Sequence, residues 1–319
     1  MTPSLSEMRE LTERAGVPAV AKVAVARAGL RANQRYTGWR GRRGTPLVER
    51  DWDNCLILDA CRYDMCVESD RLDDAQLSAV RSLGSSSAEF IRHNFAGRQL
   101  HDTVYVTANP HVAALAADTF HDVWHLYDSC WDEDAATVTP AVVADETRKA
   151  AEEFPNKRLL VHFMQPHYPF LGATGETIEE KGILQGHTNA ETNGLAKYAI
   201  WTQLQFGIAD VSIDELWRAY RENFDIVLDE ALPLAESLPG KSVLTSDHGN
   251  IITERMRPIP TRWYGHPPRV NASVLTTVPW YEVRGEGERK VIESEPPQQA
   301  SETDEQMLEK RLADLGYVT

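Results

Sequence analysis

The chain has 319 residues, 33 of them Lys or Arg and 48 Asp or Glu, giving a formal net charge of −15 at pH 7 with 42% apolar and 25% charged residues. This is ordinary globular composition, long enough for a sizeable core, and it excludes a disordered chain or a coiled coil. No apolar run approaches the ~18–20 residues of a membrane span and no cleavable leader opens the chain. An integral membrane protein and a general nucleic-acid binder are therefore set aside, and a cytoplasmic location is expected.

The charge is unevenly placed. Residues 1–50 hold ten Lys or Arg and four Asp or Glu, so this stretch carries +6 and residues 51–319 carry −21. Two helices are expected within 4–32: Ser4 or Ser6 caps the first, and Gly16 and Pro18 separate it from the second, Ala19 to Ala32. Residues 33–50, rich in Arg and Gly, are expected to be irregular. The segment reads as a basic extension (1–50) on an acidic body (51–319), and its charge suits contact with an anionic membrane surface or a protein partner. Arg also outnumbers Lys, 25 to 8. An acidic, Arg-over-Lys surface suits concentrated salt, where self-repulsion is screened, so a halophilic source, an archaeon, is expected.

From Asp51 onward, short apolar runs alternate with amphipathic stretches. Buried strands are expected at Cys55–Asp59, Thr103–Thr107, Leu159–Phe163 and Ser242–Thr245, with helices at 70–80, 111–119, 140–153, 212–237 and 303–315. Residues 171–210 read as a helical insertion or lid, and 284–305 as an exposed acidic loop. The alternation implies an α/β fold with a mostly parallel central sheet and helices on both faces. Four cysteines (Cys55, Cys61, Cys66 and Cys130) without a CxxC pair argue against a disulfide scaffold or a zinc ribbon.

In open α/β sheets ligands bind at the carboxyl ends of the strands. Three polar clusters fall at such ends: Asp59 with Arg62 and Asp64, the pair Asp247-His248, and His162 with His167. One carboxylate at a strand end also suits a helix cap. Asp, Asp-His and His at separate strand ends together supply the oxygen and imidazole ligands of a divalent Zn, Mn, Mg or Ca site.

The segments LILDACRYD (56–64), HFMQPHYPF (162–170), LTSDHGN (244–250) and RLADLGYV (311–318) resemble the alkaline phosphatase/sulfatase superfamily, nearest its sulfatase-like members. The resemblance spans Asp51 to Thr319. It implies an alkaline phosphatase-like fold and a metal-dependent hydrolase or transferase of phosphate or sulfate esters that works through a covalent intermediate. Its substrate would be a small molecule or a glycan or lipid ester. By the same resemblance Asp59, Asp247 and His248 match metal ligands, and His167 matches a histidine on the transferring group or leaving oxygen. His266, in Tyr264-Gly-His-Pro-Pro268, matches a late histidine that completes a second metal or binds the substrate anion.

The superfamily also implies a nucleophile after the first Asp. No Cys or Ser here stands in the formylglycine motif of sulfatases, which turns the chemistry from sulfate toward phosphate. Gly84-Ser85-Ser86-Ser87 lies instead where relatives place a Ser or Thr at a helix N-terminus. Ser87, then Ser86, is the expected nucleophile, its hydroxyl activated by the metal and its helix amides facing phosphoryl oxygens; the same serines also suit a helix cap. No clear Asp-x-x-x-His pair for a second metal is found, although His121, His125, His162 and His187 are available. One or two metals are therefore expected, the preferred arrangement being one held by Asp59, Ser87, Asp247 and His248. His162, His167 and His266 then face the substrate. Arg62 offers a charge clamp on the ester or a partner for Asp64, and Trp201, Trp217 and Trp263 offer a pocket wall or core packing. Two rival readings are a sulfatase without formylglycine and an inactive, metal-binding structural relative.

Overall fold

The computed structural model describes residues 9, 12–41, 44–180, 199–285, 287–288, 292–297 and 305–315. Residues 181–198 of the expected lid, with His187, and the final residues of the RLADLGYV segment lie outside these. Strand β1 (Asn54–Asp59) is buried at every position. It pairs in parallel with β5 (Arg158–Pro166) on one side and β6 (Lys241–Thr245) on the other, so Cys55 stands between Leu160 and Val243. Strands β3 (Leu100–Thr107) and β4 (Phe120–His125) extend the parallel ladder, and β7 (Thr277–Arg284) joins β6 antiparallel with β2 (Leu77–Arg81) beyond it. The seven-stranded order is β2-β7-β6-β1-β5-β3-β4. A strand covered on both faces reads as a continuous apolar run, which is why β1, β5 and β6 are so plain in the sequence.

Alternate residues of each strand enter two different cores, as the two-residue period requires. Leu56, Leu58, Val104, Leu159 and Val161 face one layer, where α4 (Pro140–Glu153) and α7 (Ile213–Ser237) pack. Cys55, Ile57, Tyr105 and Leu160 face the other, against Phe90, Ile91 and Phe95 of α3 (Ser87–Phe95). Helices thus cover both faces. Helix α7 buries Leu216, Tyr220, Phe224, Val227, Leu228 and Leu234 at three- and four-residue intervals. Its start is fixed by a capping box in which Ser212 Oγ accepts from Glu215 N (3.1 Å) and Glu215 Oε2 accepts from Ser212 N (2.9 Å).

The structure corrects several local expectations. Residues 77–80 of the expected 70–80 helix belong to β2, because an unpaired edge of β7 offers Leu77–Arg81 a full antiparallel ladder. The 111–119 helix is only a 3-10 turn at Pro110–Ala114. Strands β4 and β7 had no expectation; β4 alternates weakly at the sheet edge, and β7 carries Pro279, which demotes a strand by sequence. The second N-terminal helix, α1, runs Val17–Arg40 rather than ending at Ala32, with Gly16 before it at φ 79°.

The added turns of α1 have a partner. Asn33 donates from Nδ2 to Ile259 O (2.9 Å) and accepts from Ile259 N (3.0 Å), while Gln34 Nε2 donates to Pro268 O (2.9 Å). A Cβ on Gly29 would lie 2.0 Å from Thr261 Oγ1, so glycine sets how closely helix and loop approach. The shorter helices are α2 (Tyr63–Val67), α5 (Ala173–Glu180), α6 (Ile200–Phe206) and α8 (Glu305–Asp314). No helix of the described residues is long and apolar enough to cross a membrane.

Candidate metal and phosphoryl site

Three adjacent strands end at one place. Asp59 closes β1, His162 lies in β5 opposite Ile57, and Asp247 follows β6, all fully buried. Each offers a ligand atom, and the three atoms lie within 4.8 Å of one another. Asp247 is held by backbone: its Oδ1 accepts from Ala60 N (3.0 Å) and His248 N (2.8 Å). That leaves Asp247 Oδ2 turned to the cluster, 3.3 Å from His248 Nε2 and 3.9 Å from His162 Nε2. Neither Asp247 Oδ2 nor His162 Nε2 makes a hydrogen bond among the described residues.

The imidazole orientations are set from behind. His248 Nδ1 donates to Gly249 O (2.8 Å), which puts the lone pair on Nε2, toward the carboxylates. His162 Nδ1 lies 2.8 Å from Tyr105 Oη, so a proton on Nδ1 leaves Nε2 as the ligand atom. Burial pushes His162 down to about 4, against the pull of Asp247, so at neutral pH it brings no charge. Burial also works against ionised Asp247, but His248, His162 and the Ala60 amide outweigh it and hold the carboxyl below its ordinary range. Two carboxylates buried side by side, with imidazole nitrogens turned toward them, form a donor set that a divalent cation fits.

Ser87 opens α3 beside this cluster. Its Oγ lies 3.2 Å from Asp59 Oδ2 and 3.2 Å from His248 Nε2. Of the two serines before it, Ser85 Oγ bonds Glu89 Oε2 (3.0 Å) and Pro267 O (2.9 Å), and Ser86 is the buried N-cap residue, its side chain making no cap bond. Ser87 N–H belongs to the first helical turn, whose amides have no intrahelical acceptor and point outward from the helix start.

A second histidine pair adjoins the first group. His167 follows β5 and His266 sits on the loop between β6 and β7; their Nε2 atoms are 2.9 Å apart, and His266 stacks on His248 with centroids 4.5 Å apart. His167 Nδ1 donates to Tyr168 O (2.7 Å), so in the neutral pair His266 Nε2–H donates to His167 Nε2. Burial lowers His167 to about 4 and puts His266 well below its usual range. Asn223 of α7 holds the His167 loop. Its Nδ2 donates to His167 O (3.1 Å) and Pro169 O (2.7 Å), and its Oδ1 accepts from Leu171 N (2.7 Å).

The structure therefore gathers Asp59, Ser87, His162, His167, Asp247, His248 and His266. His162, read as a substrate residue or a candidate for a second metal, lies with the carboxylates, and His266, read as a second-metal or substrate-anion histidine, pairs with His167. Arg62 does not face the ester site. Its guanidinium is 3% exposed, bonds Asp64, Glu254 (2.7 Å) and Asn250 O (2.8 Å), and lies over the Trp217 ring. Those two carboxylates outweigh burial and raise its pKa. His121 packs on Phe154 and bonds Glu295 O (2.7 Å), and His125 bonds Tyr127 Oη (2.7 Å), so neither belongs to the cluster.

Three site residues had no expectation, and all come from β3 or the turn after it. Asn109 Nδ2 donates to Asp59 Oδ2 (2.7 Å), Tyr105 backs His162, and His111 lines the cavity mouth, lowered to about 4 by burial. The strand-end rule that found the other clusters, applied to β3, would have found Asn109 and His111. A cavity of about 940 Å³ opens at Ser86, His111 and His266, with Trp201 and Trp263 in its wall.

No protein-family model and no curated protein matches this chain. Among solved structures it is similar to the integral membrane protein lipooligosaccharide phosphoethanolamine transferase A from Neisseria meningitidis, at 11% identity and TM-score 0.44. That match covers 72% of this chain and 47% of the other, so this chain spans about half of the Neisseria protein. It is also similar to the C-terminal periplasmic domain of EptC from Escherichia coli, in complex with Zn, at 12% identity and TM-score 0.38, covering 75% and 76% of the two chains. The periplasmic domain of the phosphoethanolamine transferase EptC from Campylobacter jejuni matches at 12% and 0.39, covering 72% and 78%. Identities and scores this low carry no information about activity.

Proposed function

We propose that the protein is a metal-dependent phosphate-ester transferase or hydrolase of the alkaline phosphatase/sulfatase kind, with Ser87 as nucleophile. The observation that carries this is Ser87 Oγ at 3.2 Å from both Asp59 Oδ2 and His248 Nε2, beside the buried Asp59–His162–Asp247 group. Asp59, Asp247, His162 and His248 would hold the metal, one per site. When bound, the metal supplies positive charge and makes the serine hydroxyl a stronger nucleophile at neutral pH.

The chain's own groups account for the rest. Asp59 Oδ2, 3.2 Å away, orients Ser87 Oγ and accepts its proton as the Oγ–P bond forms and the ester P–O bond breaks. Helix amides at the start of α3 face the phosphoryl oxygens. The His167–His266 pair, joined Nε2 to Nε2, would contact the transferring group, and the leaving oxygen takes its proton from solvent. Water or an alcohol then displaces the serine oxygen from phosphorus, and Ser87 regains its proton.

The test is an ester panel run with metal analysis. Purified protein is expected to carry one divalent ion for each chain and to turn over nitrophenyl phosphate esters, with EDTA abolishing turnover. Faster turnover of nitrophenyl sulfate would move the protein to the sulfatase reading. No bound metal, and no effect of EDTA on folding or activity, would favour the inactive structural relative.

A further inference from the structure

One wall of the cavity is built by the basic N-terminal helix. Arg27 and Arg31 of α1 line it together with Arg92 of α3 and Arg269 of the His266 loop. One carboxylate, Glu89, also lines it, but its Oε2 already accepts from Ser85 Oγ (3.0 Å) and Arg269 N (2.8 Å). Among the described residues no ion pair engages Arg27, Arg31 or Arg269, in a chain with 48 acidic side chains. Burial, and then the like charge of Arg31, lower the Arg27 pKa. Four arginines against one carboxylate in a single cavity, with no ion pair to Arg27, Arg31 or Arg269 among the described residues, on a protein of net charge −15, mark a place for an anion.

These arginines are fixed relative to the reacting groups. Asn33 and Gln34, two and three residues beyond Arg31 on the same helix, bond Ile259 and Pro268, on the loop that carries His266. Gly29, between Arg27 and Arg31, sits flush on Thr261 of that loop. Leu30, Ile91, Trp201 and Trp263 line the same cavity as the arginines, together with His266 and Ser86, the residue before Ser87.

We propose that the cavity takes a phosphate ester bearing a second anionic group, separated from the reacting phosphoryl by an apolar or ring-containing part, and that Arg27 and Arg31 hold that second group. This rests on the reading of Ser87 as the phosphoryl site, and it makes the basic N-terminal helix a specificity element. Arginine suits the role because its planar, permanently charged fork pairs with two oxygens at once.

The test is calorimetric binding to metal-loaded full-length protein. The probes are alkane α,ω-bisphosphonates with two, four, six or eight methylenes, each compared with the alkylphosphonate of equal length. At least one bisphosphonate is expected to bind about 10-fold or more tightly than its single-anion match. The double variant Arg27→Ala/Arg31→Ala is expected to erase that gap while leaving alkylphosphonate affinity within about twofold, and the Lys/Lys variant to restore part of it. Should the double variant fail to fold, Arg31→Ala, on an exposed position, is expected to lose part of the gap. No gap at any length, or a gap indifferent to these substitutions, overturns the proposal. An arginine-dependent gap with Ser87-independent turnover would keep the anion site and discard the nucleophile; an absence of binding by every probe would discard both.

Discussion

Asp59, His162 and Asp247 stand on neighbouring parallel strands, fully buried and fixed by ladders on both sides, whereas Arg27, Arg31 and His266 stand on a helix and a loop held together by a few side-chain bonds. The floor of the site is therefore set by the sheet, and its outer wall by local pairings such as Asn33 with Ile259. Strand ends tolerate little displacement because each ladder bond must shift with them. A helix tied through Asn33, Gln34 and Gly29 can be loosened alone. The division teaches that chemistry and substrate choice are separable here: substitutions in the floor should remove metal and turnover, and substitutions in the wall should change which ester is preferred.

The largest effect should come from the floor. Asp247→Asn keeps the oxygen that Ala60 N and His248 N bond while removing the charge. We expect bound metal to be lost and turnover to fall on the order of 10³-fold with the fold intact, as read by elemental analysis and circular dichroism. A variant that keeps full metal content would break the floor assignment. Next is Asn223→Ala, which frees the His167 loop from three backbone partners. It should cost about 1–3 kcal/mol of stability and about 10- to 100-fold in kcat, with metal content unchanged. Loss of metal in that variant would show that the two histidine groups are not separable.

Removing the metal gives a smaller, thermal signature. Metal at about 100 times its Kd should raise Tm by roughly 5–10 °C. In metal-stripped protein His111, His162 and His167 are held near 4 against an ordinary value of 6.5, so between those limits the folded chain binds fewer protons than the unfolded one. Stability is then full above pH 6.5 and lost progressively as pH falls toward 4. Melting curves from pH 7 to 4.5 check this, and a flat profile would mean these histidines are not buried and neutral. The smallest effect belongs to Gly29→Ala, whose Cβ would meet Thr261 Oγ1 at 2.0 Å. Turnover of a single-anion aryl phosphate should change less than about threefold, while any preference for a second anion is lost.

The same division governs what the sequence made legible. Asp59, Asp247 and His248 were readable because β1 and β6 are continuous apolar runs, and a polar residue at the end of such a run stands out. Ser87 was singled out through the superfamily resemblance, which expects a hydroxyl at a helix N-terminus after the first Asp, and its 3.2 Å approach to Asp59 bears on the same choice among three serines. His162 was ambiguous, because a histidine inside a buried strand has the same pattern whether it faces a carboxylate or the core. The partners of Arg62 lie at Asp64 and at Glu254, and only the first is near in sequence. The antiparallel edge β7–β2 and the last turns of α1 exist through pairings across about 200 residues, such as Ala79 with Pro279 and Asn33 with Ile259, which no local pattern announces.

The most direct test of the nucleophile is Ser87→Ala, assayed for aryl phosphate turnover and for bound metal in the same preparation. We predict retained metal, because Asp59, His162, Asp247 and His248 remain, together with turnover reduced by about 10³-fold or more. Wild-type turnover in that variant, with metal still bound, would contradict the account.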